Sequence, residues 1–148
     1  MYPHLLATHN VVRWLVLIFL VIAILLAWRG WLGNKKFGAV DNRFRIFTVI
    51  FTHIQFILGI VLYFVSPRVT AFLDNVGAGM KDKDLRFVGM EHALLMLISV
   101  VLITIGSSKT KRQATDKAKF KTMAIWFTIA LLLILFAIPW SMPHFRPF

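Results

Sequence analysis

Six polar side chains that could bind a ligand or carry a proton lie within long apolar runs of this sequence. They are His9, Arg13, His53, Gln55, Glu91 and His92. An ionisable residue inside a membrane-spanning segment is costly, and it usually faces a cavity or a polar partner rather than lipid. The three histidines stand on three different runs, so two of them could ligate one metal through their imidazole nitrogens.

The residue types favour haem b over other metal centres. The chain contains no cysteine, which excludes disulfides, zinc–thiolate sites, cysteine-ligated iron–sulfur clusters and covalently attached haem. Haem b needs no covalent attachment, and its iron takes two axial imidazoles. A catalytic zinc ion needs three protein ligands. His9, Glu91 and His92 could supply three, but adjacent residues point about 100° apart on a helix. We therefore expect haem b as the cofactor, while no motif defines an enzymatic reaction.

Four apolar runs are long enough to span a bilayer, which takes about 20 residues of helix. We predict spans at about 9–28, 44–65, 87–106 and 123–140, with Gly106 as the stop of the third. Hydrophobic residues make up 59% of the 148-residue chain, too many for a soluble domain of this size. Short connections favour antiparallel neighbours. The sequence thus predicts an all-α membrane protein: one antiparallel up-down four-helix transmembrane bundle over residues 1–148, with a short amphipathic helix near 69–73.

The charge distribution predicts how the helices are oriented. Eleven of the 17 basic residues lie in two of the connections, the one between spans one and two and the one between spans three and four. This count includes Arg45. The only acids in these connections are Asp41 and Asp116, which leaves a net charge of +9 on that side and +2 on the other. The positive-inside rule places this side in the cytoplasm, next to anionic lipid. We expect a multi-pass inner-membrane protein with both termini outward, whose overall charge of +11 reflects topology rather than nucleic-acid binding.

Depth along the helices favours one pair of histidines as axial ligands. Counted at 1.5 Å per residue from the predicted outer edges, His9 lies near the surface, His92 roughly 7 Å deep and His53 roughly 18 Å deep. Ligands of one iron need similar depths, so His9 and His92 fit best, and His53 fits with His92 only if the second helix is shifted outward. Arg13 either forms a buried ion pair with Glu91 or holds a haem propionate.

Two helices carry a stripe of small and polar residues. On the third span it comprises Gly89, His92, Met96, Ser99, Ile103 and Gly106, and on the second Thr48, Thr52, Gln55 and Gly59. Such stripes are typical of helix–helix contacts in membranes. They also allow a flat cofactor to approach the backbone, and the two interpretations remain open.

The positions of the polar residues are similar to those of a group of small membrane proteins. The residues that carry the resemblance are His9, Arg13-Trp14, His53 and Glu91-His92, within the segments HNVVRW, FTHIQFILGIVLYFVSP, RFVGMEHALLMLISVVLITIG and AKFKTMAIWFTIALLLILFAIPW. The chain resembles four-helix membrane proteins of the Bacteroidota type that are described as cytochrome b-like, over all four spans. This resemblance implies that His9, His53 and His92 include the axial ligands.

A more distant similarity links the chain to the four-helix, haem-binding membrane form of protoporphyrinogen oxidase. Those proteins also place a histidine near the outer end of the first span, as His9 is placed here. The rest of their pattern is not evident in this sequence.

Two functional hypotheses follow from the sequence. The first is an electron-transfer protein with haem b, which exchanges electrons between quinone and an outward partner. The alternative is an accessory subunit of a larger membrane complex, without cofactor or catalysis, that packs its small-residue faces against other subunits. A transporter is disfavoured, because the chain has few spans, no pair of broken helices and no visible inverted repeat.

Overall fold

The protein is helical throughout the part that the structure describes. A computed structural model describes residues 1–141. No strand occurs in this range. A π-turn at Phe87–Glu91 joins two of the helices. The helices in chain order are α1 (Tyr2–Leu32), α2 (Ala39–Val65), α3 (Pro67–Asp74), α4 (Val76–Gly79), α5 (Lys83–Arg86), α6 (His92–Arg112) and α7 (Asp116–Ala137).

Four helical stretches are long and apolar enough to cross a membrane, which confirms the prediction of four such helices. They are Tyr2–Leu32, Ala39–Val65, Lys83–Arg112 and Asp116–Ala137, where the third runs through α5, the π-turn and α6. The predicted outward C-terminus concerns residues 142–148, which lie outside the described residues.

The helix ends differ from the predicted ones in two informative places. Helix α1 begins at Tyr2, seven residues before the predicted span, with Pro3 in its first turn, where the missing N–H costs nothing. The prediction that Gly106 stops the third span is wrong, because α6 continues to Arg112. Gly106 instead admits a neighbouring helix: a Cβ at this position would collide with the side chain of Trp126 in α7.

The core lies between α1 and α7, where small residues allow close approach. Ala23 and Ala27 of α1 and Ala124 and Ala130 of α7 are fully buried. Without a hydrophobic driving force between helices in lipid, such close van der Waals packing stabilises their association. Trp28 Nε1 of α1 donates a 3.0 Å hydrogen bond to the hydroxyl of Thr128 in α7. In the predicted orientation, Trp28 lies towards the cytoplasmic end of α1.

Helix α2 and the third long helical stretch, Lys83–Arg112, are joined by side-chain hydrogen bonds at three heights. Arg45 donates to the hydroxyl of Ser107 at 2.7 Å, at the end of α2 where the helix begins. His53 and Thr104 are 2.9 Å apart in the middle. The Tyr63 hydroxyl donates to the carbonyl oxygen of Gly89 at 2.7 Å, near the other end. Polar side chains thus connect the two helices along their length, as is common inside membranes.

The segment between α2 and the π-turn folds back over the end of the helices. Its first helix, α3, confirms the short amphipathic helix predicted near 69–73: Val69 and Phe72 are buried, whereas the polar Thr70 and Asp74 are exposed. The Phe72 ring rests on two glycines, since a Cβ at Gly79 or Gly89 would collide with it. This contact holds α3 against the π-turn.

Candidate functional site

A cavity of about 200 Å³ lies at the end of the protein where α1 begins and α2 ends. Its walls come from α1, α2, the π-turn and α6, and α3 and α7 contribute Val69 and Ile134. Most of the lining is apolar. The side chains in it that can donate or accept hydrogen bonds include Tyr2, His9, Asn10, Arg13, Thr52, Gln55, Tyr63, Ser66, His92 and Ser99.

Unpartnered polar atoms are concentrated in this cavity. Within residues 1–141, six buried side-chain nitrogen and oxygen atoms have no hydrogen-bond partner in the protein. They belong to five residues, all of which line the cavity: His9, Arg13, Thr52, Gln55 and Ser66. Buried polar groups are otherwise almost always hydrogen-bonded. The cavity therefore offers donors and acceptors to a bound group, which makes it the candidate functional site.

His92 lines the cavity, and one of its ring nitrogens is held by a backbone carbonyl. Its Nδ1 lies 2.7 Å from the carbonyl oxygen of Ala137. A carbonyl only accepts, so Nδ1 must carry the hydrogen, and in the neutral ring Nε2 keeps its lone pair. Histidines that bind metals are typically held in this way, with the second nitrogen donating to a backbone carbonyl.

About two helical turns precede His9, because α1 starts at Tyr2 rather than at the predicted edge of the first span. Its ring faces α2, where a Cβ at Gly59 would lie 3.5 Å from Cε1. Its Nδ1 is buried without a partner, while its backbone carbonyl accepts a 3.0 Å hydrogen bond from Gln55 Nε2. His9 and His92 line the same cavity from different helices.

The predicted ion pair between Arg13 and Glu91 does not form. Glu91 Oε1 instead accepts a 2.7 Å bond from Arg86 Nε, and Glu91 does not line the cavity. Arg13 is 7% exposed, and its Nε and Nη2 have no hydrogen-bond partner. Glu91 is therefore not available to a zinc site with His9 and His92. No group of three His, Asp or Glu residues that could hold a bare metal ion occurs in residues 1–141.

His53 lies outside the cavity lining and serves a helix–helix contact. The hydroxyl of Thr104 donates to the carbonyl of Val100 at 2.7 Å, so its oxygen must accept from Nε2 of His53. The structure thus brings together His9, Arg13 and His92, and it separates His53 from them.

Sequence reasoning missed four polar residues of the site: Tyr2, Asn10, Tyr63 and Ser66. Tyr63 and Ser66 continue the face of α2 that we identified from Thr52 and Gly59, at the spacings of three and four residues that keep side chains on one side of a helix. The same periodicity could have identified them, but we ended the polar face at Gly59, well before the apolar run reaches Pro67.

Comparison of the chain with protein-family models, with curated proteins and with solved structures gives no match.

Proposed function

We propose that this protein is a membrane-embedded, b-type cytochrome-like electron-transfer protein that binds haem b through His9 and His92. The observation that carries the proposal is the convergence of two imidazoles from different helices, beside an unpartnered buried guanidinium, in one apolar cavity. The resemblance of the sequence to cytochrome b-like membrane proteins supports the same cofactor.

The chemistry of the residues present fits haem b. His92 offers Nε2 as an axial ligand, because Nδ1 is bonded to Ala137. His9 offers an imidazole whose Nδ1 lacks a partner. Arg13 offers two free N–H groups to a propionate, which would form charge-assisted hydrogen bonds. Phe56 and Phe87 add aromatic surface for a porphyrin. When bound, haem b supplies a one-electron couple of ferrous and ferric iron.

Residues of the chain would raise the redox potential of this couple and give an electron carrier access to it. The positive charge of Arg13 is held in a poorly solvated cavity, where it favours the more negative, reduced state of a bound redox centre. Ile60 lines the cavity and is also 42% exposed on the outer surface of α2. A lipid-soluble quinone could therefore reach the cavity from the bilayer side and exchange electrons with an outward partner through the site.

The proposed setting is an antiparallel up-down bundle in the inner membrane, with the cavity towards the outward side. Helix α1 packs on α2 and α7, and α6 packs on α7 and α2, which closes a ring of four. The paired helices are joined by short connections: residues 33–38 between α1 and α2, and residues 113–115 between α6 and α7. Connections this short join antiparallel neighbours. The basic residues beside these connections favour a cytoplasmic location in contact with anionic lipid.

The decisive experiment is an absorption spectrum of the detergent-purified protein, oxidised and then reduced with dithionite, with a pyridine haemochrome assay. We expect a Soret band and about one haem b per chain. His92→Ala should abolish haem retention, whereas His4→Ala, at an exposed position of α1, should retain it. A protein without a Soret band, after expression with ample haem, would overturn the proposal.

The alternative, an accessory subunit without cofactor, is favoured by one observation. The apolar windows of the spans formed by α2 and α6 are only 17% buried, against 39% for α1 and α7. Two helices thus leave most of their apolar surface to lipid or to other subunits. A colourless protein that migrates as part of a larger complex in mild detergent would support this function instead.

A further inference from the structure

The helix that carries His92 begins with a π-turn rather than a regular helical turn. The π-turn occupies Phe87–Glu91, and the N–H of His92 closes it by donating to the carbonyl of Phe87, five residues back. Single π-turns are rare and are often found at functional sites. This one ends immediately before the candidate iron ligand.

The π-turn determines which side chains surround His92. In a regular α-helix, residues five apart point about 140° away from each other. In the wider π-turn they lie on nearly the same side. The Phe87 and His92 rings are accordingly 5.9 Å apart, and Arg86 reaches Glu91, also five residues on, at 2.7 Å. The turn thus packs Phe87 against the imidazole and draws Glu91 away from the cavity.

Two groups from other helices hold the π-turn at Gly89. The Tyr63 hydroxyl, from α2, donates to its carbonyl oxygen at 2.7 Å. The Phe72 ring, from α3, lies so close that a Cβ at Gly89 would collide with it. A π-turn is less favourable than a regular turn, so contacts from outside the helix are needed to maintain it. Tyr63 also lines the cavity.

From this geometry we infer that Tyr63 is a positioning residue for His92. Its hydroxyl holds the Gly89 carbonyl, maintains the π-turn and thereby keeps the His92 ring between Phe87 and the Ala137 carbonyl, so that Nδ1 carries the hydrogen and Nε2 keeps its lone pair. The inference rests on the proposed function only where it names haem iron as the group that Nε2 binds.

The test compares Tyr63→Phe with a matched control, Thr104→Val. Tyr63→Phe removes the 2.7 Å bond from α2 to the π-turn. Thr104→Val removes the 2.9 Å bond between α2 and α6, together with the local bond from Thr104 to the Val100 carbonyl, and neither of these reaches the π-turn. We expect Tyr63→Phe to reduce haem affinity about 10-fold, the lower range for outer-shell partners of a metal ligand. Thr104→Val should leave haem affinity unchanged.

A second readout does not need haem. In protein purified without haem and labelled with nitrogen-15 at histidine, NMR reports which imidazole nitrogen carries the hydrogen. We expect His92 to be protonated at Nδ1 in the wild type and in Thr104→Val, and to populate both tautomers in Tyr63→Phe. If Tyr63→Phe fails to fold, Gly89→Ala tests the same positioning of His92 by the π-turn, because the added Cβ would collide with Phe72 and displace the turn.

The outcomes separate this inference from the proposed function. Tyr63→Phe with a wild-type His92 tautomer and wild-type haem affinity would overturn the role of Tyr63 and leave haem binding intact. A wild-type protein without haem would overturn the proposed function, while the tautomer measurement would still decide whether Tyr63 positions His92.

Discussion

Two buried arginines with nearly the same exposure provide a direct test of the site. Arg13 is 7% exposed and Arg45 is 8% exposed, and both lie on membrane-spanning helices. Arg13 has two nitrogens without partners. Arg45 donates to the Ser107 hydroxyl at 2.7 Å and to the Asn42 side chain at 2.7 and 3.1 Å. The same substitution, to Met, should therefore change stability in opposite directions.

For Arg13→Met in the haem-free protein, we expect the free energy of unfolding to rise. A buried donor without a partner costs about 1–3 kcal/mol, and the variant removes two such groups while Met keeps most of the apolar stem. We expect a net gain of about 1–3 kcal/mol, since replacing buried charge by a packed apolar side chain is often stabilising. The same variant should lose haem affinity, as expected for a residue kept for binding at the expense of stability.

For Arg45→Met, we expect a loss of about 2–4 kcal/mol, because charge-assisted hydrogen bonds are broken and Ser107 is left buried with one partner fewer. Unfolding of both variants would be followed by circular dichroism in one detergent, with and without haem. The reasoning is refuted if haem-free Arg13→Met is destabilised as much as Arg45→Met, because Arg13 would then serve the fold rather than a ligand.

Three further predictions test other parts of the account. His53→Ala should keep the full haem spectrum, because its ring bonds to α6 outside the cavity; loss of the Soret band would place it in the site. Gly106→Val should lower thermal stability by about 1–3 kcal/mol through overpacking against Trp126, and an unchanged melting temperature would contradict the close packing of α6 on α7. The chain has no cysteine, so single cysteines report sidedness. An impermeant maleimide applied to intact cells should label Lys81→Cys and not Lys36→Cys, and the reverse would invert the proposed topology.

The number of spans could be predicted from the sequence because it depends on local composition. A run of about 20 apolar residues identifies a span whatever its neighbours are. The inward faces could be predicted for the same reason: Thr48, Thr52 and Ser99 are buried as the small-residue stripes indicated. The short helix α3 was likewise recognisable from its own amphipathic pattern.

The membership of the site could be predicted only in part. The sequence singled out His9, Arg13 and His92, and the structure places all three in one cavity. The sequence also offered His53, which the structure places against Thr104, and a pairing of Arg13 with Glu91 that the π-turn prevents. An unrecognised π-turn shifts the direction of every preceding side chain, which periodicity calculated for a regular helix does not reveal.

Local composition is sufficient to predict four apolar helices, the faces on which their small and polar residues lie, and the few ionisable residues that would be costly to expose to lipid. Which of those residues come into contact depends on the tertiary structure. Contact between helices depends on where each helix starts and how it is turned, and one residue changes these by 1.5 Å and 100°. The early start of α1 at Tyr2 and the π-turn before His92 are such changes, and together they bring the two histidines to one cavity.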